Sequence, residues 1–192
     1  MRTFIAIEIS EELRQELSVL QQELKKSEAD VKWVAPDNLH LTLKFLGDTE
    51  EGKIEAMKRL LNKIAGGQSS FTISFAQIGV FPKPDFPRVV WVGIEKGKDD
   101  LMRLATRIEE ELFSLKFPKE KRPFSTHLTL GRVRSPQNKD KLKTMINNLE
   151  GFKASNAVGI DGFVLFRSQL TPQGSIYTAL EKFTLLSNHS LR

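Results

Sequence analysis

The chain has 192 residues, 40% hydrophobic and 28% charged, a balance that suits one globular domain or two small fused lobes and excludes a disordered chain. It holds no cysteine and carries a net charge of +5; the first rules out disulfides, thiolate metal sites and cysteine nucleophiles, and the second raises the odds of phosphate-rich partners, although charge alone favours a solvated, lysine-rich surface. No apolar run nears the roughly 20 residues needed to span a bilayer, and Glu8 breaks the first apolar stretch too early for a signal peptide, so a cytoplasmic chain with no membrane partner is expected.

Residues 3–9 alternate and predict a strand with Ile5, Ile7 and Ile9 on one face. Ser10 has the character of an N-cap, followed by Glu11 and Glu12 where a helix dipole favours acids. Leu13, Leu17, Leu20 and Leu24 then recur at helical spacing to about Lys26. A short extended piece, 31–34, stops before Pro36, and a strand is expected at 39–46. Ile54, Met57, Leu60, Leu61 and Ile64 mark the next helix, closed by Gly66-Gly67.

Phe71, Ile73 and Phe75 open another strand. Three prolines within 81–87 remove ladder donors, so that segment is expected as a hairpin loop before a returning strand at 88–94. Leu101, Leu104, Ile108, Leu112 and Leu115 predict a helix, and a strand follows at 125–133. Ser135-Pro136 is expected to start a further helix that runs to about Leu149. Strands near 157–166 and 175–186 complete the prediction, with a loose tail from Ser187.

Two of these strands share a tetrapeptide. His40-Leu41-Thr42-Leu43 and His127-Leu128-Thr129-Leu130 are identical, stand 87 residues apart, and contain two of the three histidines in the chain. Shifted by 87, the predicted helix at 12–26 falls on 99–113, the helix at 51–65 on 138–152, and the strands at 71–81 and 88–95 on 158–168 and 175–182. The order helix, HLTL strand, helix, strand, strand therefore occurs twice behind one extra strand. Units at about 10–95 and 97–186 are expected to form one lobe each of a single domain, related by a pseudo-twofold axis that brings both histidines to one cleft.

Alternate residues of a strand point to opposite faces. Leu41, Leu43 and Phe45 are thus expected to enter a core, with His40, Thr42 and Lys44 on the other face, and Leu128 and Leu130 likewise oppose His127 and Thr129. A lone histidine in a strand is more often a structural residue than a catalytic one. Repetition in register changes that balance, because a duplicated core explains repeated leucines but not repeated polar-face histidines. Imidazoles titrate near neutrality and can serve as acid and base in one step. The neighbouring threonines supply hydroxyl donors for phosphate oxygens. The pattern suits hydrolysis or transesterification at phosphorus without a metal or other cofactor. A two-histidine metal site lacks a third ligand at a recognisable spacing, and His189, near the C-terminus, has no companion motif and is expected at the surface.

Arg132 could clamp a phosphate, although strict alternation puts it opposite His127 unless Gly131 bulges or the strand ends there. Arg134 and Lys44 are the substitutes, and Trp33 is a candidate platform for a base.

Asp37–Gly47, Phe124–Val133, the opening Met1–Ile7 and the late stretch Leu170–Tyr177 together resemble the 2H phosphoesterase superfamily, and within it the RNA 2′,3′-cyclic phosphodiesterases, also called 2′-5′ RNA ligases. The resemblance covers nearly the whole chain. It implies a bilobal α+β fold, an antiparallel sheet flanked by helices in each lobe, and an active site between them. It implies hydrolysis of RNA 2′,3′-cyclic phosphate ends to 2′-phosphates and ATP-independent 2′-5′ joining of RNA; a monomer without cofactors is expected. Carried over by motif, His40 is the proton donor to the leaving oxygen and His127 the base for water, Thr42 and Thr129 hold phosphate oxygens, and Arg132 assists. A related enzyme for another cyclic or 2′-5′-linked nucleotide, or a non-catalytic RNA-end-binding module, are the competing readings.

Overall fold

A computed structural model describes residues 1–121, 123–172 and 174–187 of the chain. His189 and the tail beyond residue 187 lie outside the described residues, as does Gln173. In chain order the elements are β1 (Arg2–Glu8), α1 (Glu11–Lys25), β2 (Val31–Trp33), β3 (His40–Asp48), α2 (Ile54–Ala65), β4 (Phe71–Lys83), β5 (Phe86–Lys96), α3 (Lys98–Phe113), β6 (His127–Val133), α4 (Lys139–Asn148), β7 (Val158–Ile160), β8 (Gly162–Thr171) and β9 (Gly174–Thr184).

The amphipathic signals place these elements well. Ser10 caps α1, its Oγ accepting from the Leu13 N–H at 3.3 Å, and Leu13, Leu17, Leu20 and Leu24 are buried. Ile54, Met57, Leu61 and Ile64 form the inward face of α2. Three segments differ from expectation, and the first is the strand expected near 157–166, which is two strands, β7 and β8, parted at Asp161. α4 starts at Lys139 rather than at Ser135-Pro136. Asn138 sits in the left-handed region at φ 52°, and its side-chain amide donates to the Glu28 carbonyl at 2.9 Å. That anchored turn delays the helix by three residues.

The proline-rich segment is also not a loop. Phe81 pairs with Val89, Pro82 with Pro87 and Lys83 with Phe86, which leaves only Pro84 and Asp85 as the turn. The prolines are tolerated because this tip extends past the strands that flank the hairpin: β6 begins pairing with β5 at Val89, and β7 pairs with β4 only at 71–73.

Two antiparallel sheets result, one in the order β3-β1-β8-β9 and one in the order β2-β6-β5-β4-β7. The repeat units do not each close a lobe. The hairpin β4–β5 of the first unit pairs with β6 of the second, and the hairpin β8–β9 of the second unit pairs with β1 and hence β3. Each sheet thus takes its histidine strand from one unit and its hairpin from the other. Alternation in sequence specifies which face a strand buries, but not which neighbour it pairs with.

Helices α2 and α3 back the first sheet, against β9 and β3. On the second sheet, Gln21 of α1 is buried and donates to the carbonyls of Val34 and Leu130, both at 2.9 Å, and α4 lies along the β4–β5 hairpin. The apolar faces of all four described helices and both sheets merge in one continuous core. A separate, smaller cluster of Phe4, Ala6, Val164 and Phe166, with Tyr177 against it, lies on the other face of the first sheet. None of the described helices is long and apolar enough to cross a membrane.

Candidate active site

Both HLTL strands break their alternation at the same place. Along β1 and β3, Ile5 pairs with Lys44 and Ala6 with Thr42, so Leu43 is an extra residue. Along β5 and β6, Trp91 pairs with Thr129 and Val90 with Gly131, so Leu130 is extra. Leu43 and Leu130 are the closing leucines of the two motifs, 87 residues apart. Each bulge shifts the parity of the residues directly after it.

The shift corrects two expectations and resolves a third. Phe45, expected in the core, is 56% exposed and lines the cleft. Lys44, expected on the cleft face, is buried at 4% exposure, its Nζ 3.1 Å from Glu109 Oε1 and 3.0 Å from the Pro118 carbonyl. Arg132 comes to the cleft side because the bulge restores it to the face of His127 and Thr129.

Strand β3, an edge of the first sheet, and β6, in the second, approach within 8 Å between Cα atoms. A cavity of about 260 Å³ opens beside them, lined by His40, Thr42, Phe45, Thr129 and Arg132 together with Arg2, Phe4, Asn38, Ser168, Leu170, Ser175 and Tyr177, among others. His127 is not part of that lining; it stands two residues from Thr129, with its ring edge-on to Phe81 at 5.0 Å. Arg2 and Arg132 are the charged residues in the lining, and no carboxylate joins them. Such a cavity favours anions.

The two histidines are held alike. His40 Nδ1 lies 2.7 Å from the Asn38 carbonyl, and His127 Nδ1 lies 2.9 Å from the Ser125 carbonyl. A carbonyl only accepts, so Nδ1 is the donor in both rings and Nε2 is the nitrogen left for proton transfer. Asn38 is itself tied down, its side-chain amide donating to the Ser175 carbonyl of β9 at 2.9 Å. Phe4 and Tyr177 flank His40 at 4.9 and 5.3 Å between ring centroids. Burial pushes the pKa of His40 below 6.5 despite the Asn38 hydrogen bond, which raises it. His127 is likewise lowered, by burial first, with the Ser125 bond opposing and the Arg132 charge adding to the effect. Both imidazoles are therefore mostly neutral at pH 7 without an anion nearby.

Other sequence candidates take structural places. The Trp33 ring is half-buried over Gly131 in the second sheet and does not line the cavity. Arg134 does not line it either. Among the described residues, no group of three or more His, Cys, Asp or Glu side chains is placed to hold a metal ion. Sequence reasoning assigned no role to Arg2, Phe4, Asn38, Ser175 or Tyr177, although all stand within the stretches that carry the family resemblance. Their roles depend on β1, β8 and β9 folding beside β3.

Gly131 has a testable purpose. A Cβ there would meet Val31 Cγ1 at 2.6 Å and Trp33 Cε3 at 2.9 Å, so Gly131→Ala must push β2 away or displace Arg132 next to it. A loss of about 1–3 kcal/mol is expected, to be read by thermal unfolding. Unchanged stability would mean that β2 yields freely.

The LigT-like phosphoesterase family matches this chain twice, at residues 7–91 and 92–177. The chain belongs to this family. Its two matches divide the chain much as the 87-residue repeat does. A relative from Methanothermobacter thermautotrophicus, named RNA 2′,3′-cyclic phosphodiesterase, is 40% identical over 96% of this chain and 99% of its own length. A crystal structure of a Thermus thermophilus protein superposes with a TM-score of 0.82 at 30% identity, covering 98% of this chain and all of that one. Escherichia coli LigT complexed with 3′-AMP superposes with a TM-score of 0.79 at 28% identity, covering 96% of this chain and 97% of that one. The family and the fold accord with a bilobal, pseudo-symmetric α+β architecture.

Proposed function

We propose that this chain hydrolyses the 2′,3′-cyclic phosphate at RNA ends to a 2′-phosphate by acid–base catalysis between two histidines. The observation that carries this reading is the matched pair of imidazoles, each with Nδ1 bonded to the carbonyl two residues earlier and Nε2 free, on strands that converge at a cavity bearing two arginines and no carboxylate. The relatives named RNA 2′,3′-cyclic phosphodiesterase and the LigT complex with a nucleotide support the substrate class.

In this mechanism His127 Nε2 takes a proton from water as its oxygen attacks phosphorus. The bond from phosphorus to the 3′ oxygen breaks, and His40 gives that oxygen a proton. The product is a 3′-hydroxyl beside a 2′-phosphate. Thr42 and Thr129 hydroxyls and the Arg132 guanidinium hold the non-bridging oxygens, whose charge grows in the transition state. A bound anion favours the imidazolium form of His40, which takes its proton from solvent before giving it to the leaving oxygen. Replacing water by the 5′-hydroxyl of a second RNA gives ATP-independent 2′-5′ ligation by the same proton transfers. The proposed setting is the cytoplasm, with the chain acting as a monomer.

Phosphorus NMR of a cyclic-phosphate oligonucleotide incubated with the protein tests the reading. A 2′-phosphate is expected, at a rate unchanged by chelator. A 3′-phosphate product, or turnover only of other cyclic or 2′-5′-linked nucleotides, would replace this reading. RNA-end binding without turnover would point to a non-catalytic module.

The pH profile gives a second test. A bell-shaped dependence of kcat/KM is expected, with the acid limb reporting the base of the free enzyme. Because His127 is lowered in part by Arg132, the acid limb of the native protein should lie below pH 6.5. In Arg132→Gln it should move up toward that value, since a positive charge that disfavours imidazolium is gone. A limb that stays in place separates Arg132 from His127.

A further inference from the structure

The cavity extends past the groups used above, and its far end carries the second arginine. Arg2 lies at the start of β1, paired in register with Asp48 of β3 and Ser168 of β8. The Thr42 position pairs with Ala6, four residues further along the same strand, which is roughly 13 Å at the strand rise. Between them, Phe4 pairs with Phe45, and both rings line the cavity. Arg2 also lines it, is exposed, and makes no ion pair among the described residues, Asp48 included. An unpaired guanidinium at one end of a carboxylate-free cavity is a site for a second anion.

We infer that Arg2, with Ser168 beside it, forms a subsite for the phosphodiester on the 5′ side of the terminal nucleoside, so that the chain selects RNA ends over free cyclic mononucleotides. The inference rests on the function proposed above. In that reading the cyclic phosphate sits at Thr42, Thr129 and Arg132. The terminal nucleoside then spans the Phe4–Phe45 floor, and its 5′-phosphate points toward the start of β1. The length of the arginine side chain covers the remaining separation along the strand. A mononucleotide without a 5′-phosphate leaves this end of the cavity unused.

The test compares a nucleoside 2′,3′-cyclic monophosphate with a dinucleotide that ends in the same cyclic phosphate. For the native protein, kcat/KM for the dinucleotide is expected to be higher by about tenfold to a hundredfold, the range for a hydrogen bond to a charged group. Arg2→Gln should remove most of that ratio. The log–log slope of dinucleotide kcat/KM against salt should become shallower by about 0.7, the contribution of one phosphate contact on a single strand. Arg2→Lys keeps the charge without the planar fork, so it should keep the slope while losing part of the ratio. If Arg2→Gln fails to fold, the Arg2→Lys ratio decides: a reduced ratio supports the subsite and an unchanged one overturns it. Equal kcat/KM on the two substrates, or an undiminished ratio in Arg2→Gln, overturns the subsite and leaves the cyclic phosphodiesterase reading intact. No turnover of either substrate overturns that reading instead.

Discussion

Replacing either His40 or His127 with alanine is expected to lower kcat/KM for a 2′,3′-cyclic phosphate by about 10²–10⁴-fold, the usual contribution of one general acid or base. The loss should appear in kcat with KM little changed, because the proton transfers occur in the transition state. Each ring has its Nδ1 committed to a carbonyl, so each has one nitrogen to offer and neither can replace the other. The double variant should be little worse than the worse single one, since an acid and a base that act in one step are lost together. Steady-state kinetics with folding checked by circular dichroism measure this. A single variant within tenfold of native activity would sink the two-histidine mechanism. The pH profile should also divide: without His127 the acid limb disappears, and without His40 the alkaline limb does.

The second large effect concerns stability. Lys44 Nζ is buried between Glu109 and the Pro118 carbonyl, and Glu109 Oε1 also accepts from the Glu120 N–H at 2.6 Å. Burial works against the Glu109 charge, but the bonds from Glu120 and Lys44 outweigh it and hold the carboxyl below its usual range. Glu109→Ala leaves the ammonium in the core with one carbonyl for company. A loss of about 3 kcal/mol is expected, at the lower end for a broken buried pair because Glu109 is partly exposed. For a chain of this size that corresponds to a fall in Tm of roughly 6–12 °C. Adding Lys44→Met to Glu109→Ala should recover part of it, since the uncompensated charge is then gone. The Pro118 carbonyl and the Glu120 N–H would still lack partners. A single variant as stable as the native chain would show that Lys44 reaches water.

Lys44 also illustrates where reading the letters fails. Strict alternation puts it beside His40 and Thr42, and sends Phe45 inward. One unpaired leucine in the ladder reverses both, and the same leucine in the second motif brings Arg132 round to the cleft. Bulges arise from the fit of one strand against its neighbours, so nothing in the tetrapeptide announces them. The proline-rich tip departs from its sequence reading for a related reason: a proline excludes a central strand, but it does not exclude a hairpin end with no outer neighbour to serve. The helices were legible because their signal is local. Leucines at spacings of three and four residues, with Ser10 ahead of them, need no partner to be recognised.

What the amino-acid sequence determined by itself was the duplication, the helices, and the placing of His40, Thr42, His127 and Thr129 on the polar faces of their strands. All of these follow from periodicity within a dozen residues or from identity between two segments. Only the tertiary structure decided which hairpin joined which histidine strand, that Phe4, Asn38 and Tyr177 would stand around His40, and that Lys44 would be buried in place of Phe45. Those outcomes depend on hydrogen-bond pairing between strands far apart in the chain, and a pairing energy belongs to two strands at once rather than to either one alone.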